Sequence, residues 1–224
     1  MKRTINYFPH YILALFFILS NTVFGAEITA SFTVVDSEKK PIENAVIQLI
    51  GSKISQATSP KEPFQLSQRD KQFTPLVLTV PKGASVTFPN YDDIQHHVYS
   101  FSGIKKFQFK LSKESKDPPI TLDKAGVVPV GCNIHDWMLA YIFVADTPFF
   151  ATTDSLGKAI INVTNPGDYT IKVWHPQLAN TVKNPIKNNL TSISIDKTFS
   201  QTIELSHKIS SDDTDTDIDE FDDY

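Results

Sequence analysis

The chain has 224 residues, 41% hydrophobic and 21% charged, which is enough apolar material for one or two packed domains and excludes wholesale disorder. A formal net charge of −4 argues against a nucleic-acid binder that works by neutralising phosphates. A single cysteine excludes an internal disulfide framework, and the eight glycines form neither a GxGxxG nor a P-loop pattern. In chain order, Lys2 and Arg3 precede an apolar run at 11–19, and Val23 and Gly25 suit the −3 and −1 positions of a cleavage site. Such a run is too short to span a bilayer, so 1–25 reads as a secretory signal peptide in preference to a buried helix or a retained anchor. The expectation is an exported protein, most simply periplasmic in a Gram-negative bacterium, with no transmembrane anchor after cleavage. Asn162 and Asn189 head N-x-T sequons, which matter only in a eukaryote.

From there the chain reads as strand after strand. Ile28, Ala30, Phe32 and Val34 alternate with polar or small residues, the period of a half-buried strand. A turn cluster at 36–41 leads to an apolar run at 45–50. Further β-type runs fall at 76–80, 86–88, 98–101, 107–111, 127–132, 141–145, 159–163, 169–174 and 202–205, punctuated by Pro and Gly. No stretch of helical period is long enough for a major helix. Short, regularly spaced strands indicate an all-β chain of sandwiches or barrels.

Charge is segregated. Residues 26–210 hold 19 basic against 17 acidic side chains, whereas 211–224 hold eight acidic and no basic ones. That tail is disordered by composition, either solubilising or a lure for a basic partner. Asp213, Asp215 and Asp217 have calcium-loop spacing, but Ile218 and Tyr224 stand where an EF-hand needs Gly and Glu.

Chemistry concentrates between Phe88 and Met138. His96 and His97 begin a strand, and Cys132, His135 and Met138 form a Cys-x2-His-x2-Met loop. Taken singly, each residue has a duller reading, since an isolated Cys or Met is usually a core residue. Their joint occurrence differs: the chain's one cysteine has His at +3 and Met at +6. A lone thiol in an oxidising compartment is open to oxidation unless ligated. Two imidazoles, a thiolate and a thioether are the donor set of a trigonal type 1 copper site with a weak axial Met. Catalytic zinc is weaker, since it needs an open position and a general base, and Asp136 beside His135 is slender support.

These residues carry a resemblance. The stretch from about 73 to 146 resembles a cupredoxin of the plastocyanin and amicyanin type, and its loop is similar to the short amicyanin one. The wider string from Gly131 to Pro148, with His96 to Ser102, resembles exported cupredoxin-like proteins often labelled methylamine utilisation proteins. The resemblance implies one type 1 copper ion held by His96, Cys132, His135 and Met138, with His97 in the position that braces the ligand loop. His97 stands where the family usually has Asn, so it is kept as an alternative ligand. Asn90 is expected to shape the loop leading to His96. The flanks resemble the halves of a carboxypeptidase-regulatory-like, or transthyretin-like, sandwich: Val34 to Val46 the first, Thr153 to Ile160 with Asn165 to Ile171 the second. The implied organisation is 26–66 for the first half-sandwich, 67–147 for an inserted cupredoxin domain, 148–207 for the second half and 208–224 for the tail. The alternative is two incomplete modules in series. His175 and His207 are taken as structural.

The function implied is a one-electron carrier cycling between Cu(II) and Cu(I), with no substrate chemistry and no catalytic residue. Its partner would be a redox protein such as a c-type cytochrome or a periplasmic dehydrogenase. The alternatives are a copper carrier or storage protein without a redox partner, or a β-protein that keeps the motif without metal. Electrons would pass through His135 in an apolar docking patch to which Trp137, Leu139, Pro148, Phe149 and Phe150 contribute. The competing reading of the two Phe is core of the adjoining sandwich.

Overall fold

The structure is a computed structural model describing residues 28–51, 62–113, 117–164, 166–177, 191–195 and 199–205. The expected signal peptide, the acidic tail and His207 lie outside the described residues. Within them every regular element is a strand: β1 (Ile28–Val35), β2 (Val46–Gly51), β3 (Phe64–Gln65), β4 (Ser67–Arg69), β5 (Gln72–Thr74), β6 (Val77–Pro81), β7 (Ser85–Thr87), β8 (His96–Phe101), β9 (Lys106–Leu111), β10 (Ile120–Thr121), β11 (Gly126–Cys132), β12 (Leu139–Ala145), β13 (Phe150–Thr152), β14 (Lys158–Val163), β15 (Gly167–Trp174), β16 (Thr191–Ile195) and β17 (Phe199–Glu204).

The strands make two sandwiches. In one, a sheet of order β14-β1-β17 faces a sheet of order β13-β2-β15-β16. Their alternating apolar residues, among them Phe32, Ile47, Leu49, Ile161 and Ile171, interdigitate as one core. This sandwich draws β1 and β2 from before, and β13 to β17 from after, the segment that builds the other. The second has a five-stranded sheet, β6-β12-β11-β8-β9, against a small sheet, β10-β7-β3, over a core that includes Val86, Val98, Val128, Val130 and Ile142. β3 pairs in parallel with β7, and Leu66 is buried in this second core.

The two sandwiches share a third apolar layer of Val46, Val77, Val127, Phe143, Ala145 and Trp174. The Trp174 ring lies 5.7 Å from Tyr141 and 5.3 Å from Phe143, centroid to centroid. β12 is thus buried on both faces: Ala140, Ile142 and Val144 enter the second core, and Phe143 and Ala145 enter the shared layer. A strand covered on both sides has no polar face, hence the unbroken apolar run from Leu139 to Ala145.

His175 follows β15 and is buried and satisfied. Its Nε2–H donates to the Glu43 carbonyl at 3.1 Å, and its Nδ1 accepts the Gln177 amide at 3.2 Å. Burial, opposed by the Glu43 hydrogen bond, pushes its pKa down to about 4.

Candidate metal centre

The β11–β12 hairpin explains why three donors sit within seven residues. Gly131 pairs with Leu139, so residues 133–138 form the closing loop at one end of the doubly buried ladder. Cys132, the last residue of β11, points into the second core and is 3% exposed. The Met138 amide donates to the His135 carbonyl at 2.9 Å, which tightens the loop, and the Met138 side chain is buried in the same core as Cys132. The fourth element is β8, which pairs directly with β11 through Val98 and Cys132.

His96 and His97 diverge as adjacent strand residues must. His96 points inward and is fully buried. Its Nδ1 lies 3.7 Å from Cys132 Sγ, and His135 Nδ1 lies 4.0 Å from the same sulfur. One ligand atom from each of His96, Cys132 and His135 falls within 4.8 Å of the others. The His96 and His135 rings are 5.1 Å apart. His97 points outward and is half-buried; Asn133 Nδ2 lies 3.3 Å from its Nδ1, and the Gln108 carboxamide meets its Nε2. The Asn133 amide also donates to the His97 carbonyl at 3.0 Å. His97 therefore stands outside the cluster and ties the loop to β8.

Asn90 is buried. Its carboxamide donates to the Ile94 and Leu111 carbonyls, both at 2.8 Å, and accepts the Asp92 amide at 2.9 Å. It fixes the turn that leads into His96.

Asp92 was not singled out from the sequence. His96 Nε2–H donates to Asp92 Oδ2 at 2.8 Å. A carboxylate only accepts, so the imidazole proton sits on Nε2 and the Nδ1 lone pair faces Cys132 and His135. Asp92 also accepts the Asp70 amide at 2.7 Å and the Lys71 amide at 3.0 Å. Those residues turn the β4–β5 hairpin with φ of 54° and 57°. Burial favours the neutral Asp92 carboxyl, but hydrogen bonds from the Lys71 amide, His96 and the Asp70 amide outweigh it and hold its pKa below the usual carboxylate range. The available signal was a carboxylate four residues before a candidate ligand.

His135 is half-buried, and its ring meets that of Trp137 at a tilt of 53° with 5.1 Å between centroids. Burial lowers its pKa, helped by the charges of His96 and Lys71 and opposed by Asp92 and Asp136. Trp137 is 66% exposed, and its Nε1–H donates to the Lys71 carbonyl at 3.2 Å. Ile134 is also largely exposed, while Leu139 is half-buried. Phe149 does not belong to this surface. It is 7% exposed in the core of the other sandwich, where its ring meets Tyr169 edge-on at 5.9 Å. Phe150 packs on the shared layer between the sandwiches. Phe149 is a core residue and Phe150 is half-buried against the shared layer, because the chain re-enters the flanking sandwich at 149.

No protein-family model matches the chain, and no curated protein does. Solved structures similar to it include a purple cupredoxin from Nitrosopumilus maritimus, 22% identical with a TM-score of 0.32, covering 36% of this chain and 96% of that one. Amicyanin from Paracoccus versutus is 18% identical with a TM-score of 0.33, covering 44% of this chain and 97% of that one. A copper-containing nitrite reductase from Thermus scotoductus SA-01 is 25% identical with a TM-score of 0.36, covering 50% of this chain but only 28% of that enzyme. These likenesses are distant. What the chain itself shows is a β-sandwich whose five-stranded sheet gathers the buried His96 and Cys132 and the half-buried His135 into a candidate metal site.

Proposed function

We propose that this chain is an exported type 1 copper protein that carries single electrons and performs no substrate chemistry. The observation that carries the reading is the convergence of His96 Nδ1, Cys132 Sγ and His135 Nδ1 within 4.8 Å at the rim of a β-sandwich core. The donor set fits copper: sulfur suits Cu(I), and imidazole suits both oxidation states. Met138, buried beside Cys132, is assigned the weak axial position. Copper held there would supply a one-electron Cu(II)/Cu(I) couple.

The chain's own residues do the rest. Asp92 keeps the proton on His96 Nε2 and fixes the ring. Asn90 and the β4–β5 hairpin hold Asp92, and His97 anchors the loop. Apolar neighbours exclude water on the core side. His135 with Trp137 and Ile134 forms the exposed edge through which electrons pass. The partner is a redox protein of the same compartment, such as a c-type cytochrome or a periplasmic dehydrogenase. The 1–25 segment supports periplasmic export. The flanking sandwich is read as a carboxypeptidase-regulatory-like scaffold of two separated halves, and the whole as a member of the exported cupredoxin-like group labelled methylamine utilisation proteins.

An absorption spectrum of the copper-loaded protein tests the reading. An intense blue or green thiolate-to-copper band is expected, abolished in Cys132→Ser with the fold intact. Rapid electron exchange with a cytochrome c separates a carrier from a copper-storage protein. A colourless protein that takes zinc stoichiometrically and has no affinity for copper would sink the proposal.

A further inference from the structure

One half of the five-stranded sheet is left uncovered by the flanking sandwich. The shared apolar layer takes residues from β6, β11 and β12 but none from β8 or β9. On β8 and β9 the outward residues pair across the strands: His97 with Lys110, Tyr99 with Gln108, Phe101 with Lys106. Lys106, Gln108 and Lys110 are exposed, and Phe101 is 53% exposed with its ring 5.1 Å from Tyr99. Tyr99 lies flat on Gly131, where a Cβ would meet its ring at 2.9 Å, so the face backs directly onto the residue before Cys132. The ribbon is also one-signed: from 94 to 113 the chain carries Lys105, Lys106, Lys110 and Lys113 and no acidic residue. Lys113 is held by Asp93, which leaves Lys106 and Lys110 on the face, with Lys105 in the adjoining turn, to define an aromatic, cationic surface.

The same chain carries the complementary charge. Residues 211–224 hold eight acidic side chains with Phe221 and Tyr224 among them. β17 lies in a sheet that is separated from the five-stranded sheet carrying β8 and β9 by the single layer β13-β2-β15-β16. After Leu205, the seven residues to Asp212 reach about 25 Å when extended. That spans about two sheet spacings of ~10 Å, the separation between the layer of β17 and that of β8.

We propose that the acidic segment 211–224 docks on the β8–β9 face of its own chain and occupies the surface over Tyr99 and Gly131. Single exposed ion pairs contribute little, but eight carboxylates tethered near three lysines act at high effective concentration. The association is electrostatic and therefore weakens with salt.

Carbodiimide crosslinking of the full chain at low ionic strength, followed by peptide mapping of the monomer band, tests this. The expected result is bonds from Lys105, Lys106 or Lys110 to carboxylates of 212–223 within one chain. They should disappear in about 1 M salt, where the Debye length falls to ~3 Å, and in the Lys106→Glu/Lys110→Glu variant. Amide NMR shifts of His97, Tyr99 and Phe101 should also differ between the full chain and one ending at Ser210. Links to lysines elsewhere, links that join two chains, or identical spectra in both lengths would overturn the proposal. The last result would leave the face to an acidic protein partner instead.

Discussion

Replacing Asp92 by Ala removes one carboxylate that three groups share. It accepts from His96 Nε2 at 2.8 Å, the Asp70 amide at 2.7 Å and the Lys71 amide at 3.0 Å. The first bond sets which nitrogen of His96 is free to ligate, and losing such a partner of a ligand costs about 10–100-fold in metal affinity. That is about 1.4–2.7 kcal/mol of binding free energy. The other two bonds hold a hairpin whose turn residues are both left-handed and neither glycine, a conformation that costs of order 1 kcal/mol per residue. Without the carboxylate the turn relaxes, and with it the carbonyl of Lys71 that holds Trp137 beside His135. Competition titration of Cu(II) against a chelator should therefore show Asp92→Ala weakened by about 10–100-fold. Asp92→Asn, which keeps acceptor oxygen but not the charge, should fall between it and wild type. Affinity within about twofold of wild type, with only the melting temperature lowered, would refute the reasoning and reduce Asp92 to a loop brace.

Other outcomes are as definite. His96→Ala should abolish the thiolate-to-copper band, whereas His97→Ala should keep it and lower stability, since the His97 ring nitrogens meet Asn133 and Gln108 outside the cluster; the reverse pattern in the absorption spectrum would put the ligand on β8's outer face. Met138→Leu should keep copper and raise the reduction potential, because losing a thioether disfavours Cu(II) more than Cu(I), and Met138→Gln should lower it; unmoved voltammograms would make Met138 a core residue only. His175 sets an acid limit on folding: with its folded pKa at about 4 against the ordinary 6.5, the unfolded chain takes up a proton first as pH falls. Its contribution is intact above about 6.5 and lost towards 4, so denaturant melts should show about 2 kcal/mol less stability at about pH 5 than at about 7.5, a difference reduced in His175→Gln.

The parts of the site that a hairpin makes local were legible. Cys132, His135 and Met138 share one loop, and the spacing alone proposes a chelate. His96 needed a partner strand, but the strand's period separates it from His97 once one face is known to be buried. Asp92 was not legible, because nothing in the residues 90–93 says that the turn folds the carboxylate back onto the His96 ring. The β4–β5 hairpin was missed for another reason. Its paired residues are mostly polar, with Phe73 alone buried as a large apolar anchor, so no alternation marks it. Phe149 and Phe150 were open in the sequence: an aromatic pair after the site-bearing unit fits an exposed patch or a core equally well, and only the return of the chain to a second sandwich buries Phe149 in its core and half-buries Phe150 against the shared layer.

That second sandwich bears on the rigidity of the centre. Cys132 and His96 lie on β11 and β8, neighbours in one ladder, so these two cannot separate without breaking strand pairing, and His135 and Met138 sit in the short loop that closes the same hairpin. β12 is clamped between two cores, with Trp174 packed on Tyr141 and Phe143, and Gly131 is covered by Tyr99. Fully burying a large side chain contributes about 1.5–3 kcal/mol, and here that energy comes from both faces of the strand that ends the ligand loop. A shift of Cys132 relative to His96 would have to repack both layers at once. Under the proposed electron-carrier reading, a ligand set held in this way would keep its geometry when the charge at its centre changes by one, which is the physical requirement for passing an electron quickly. The flanking sandwich, which contributes no ligand, thus still shapes the chemistry by denying the hairpin room to move.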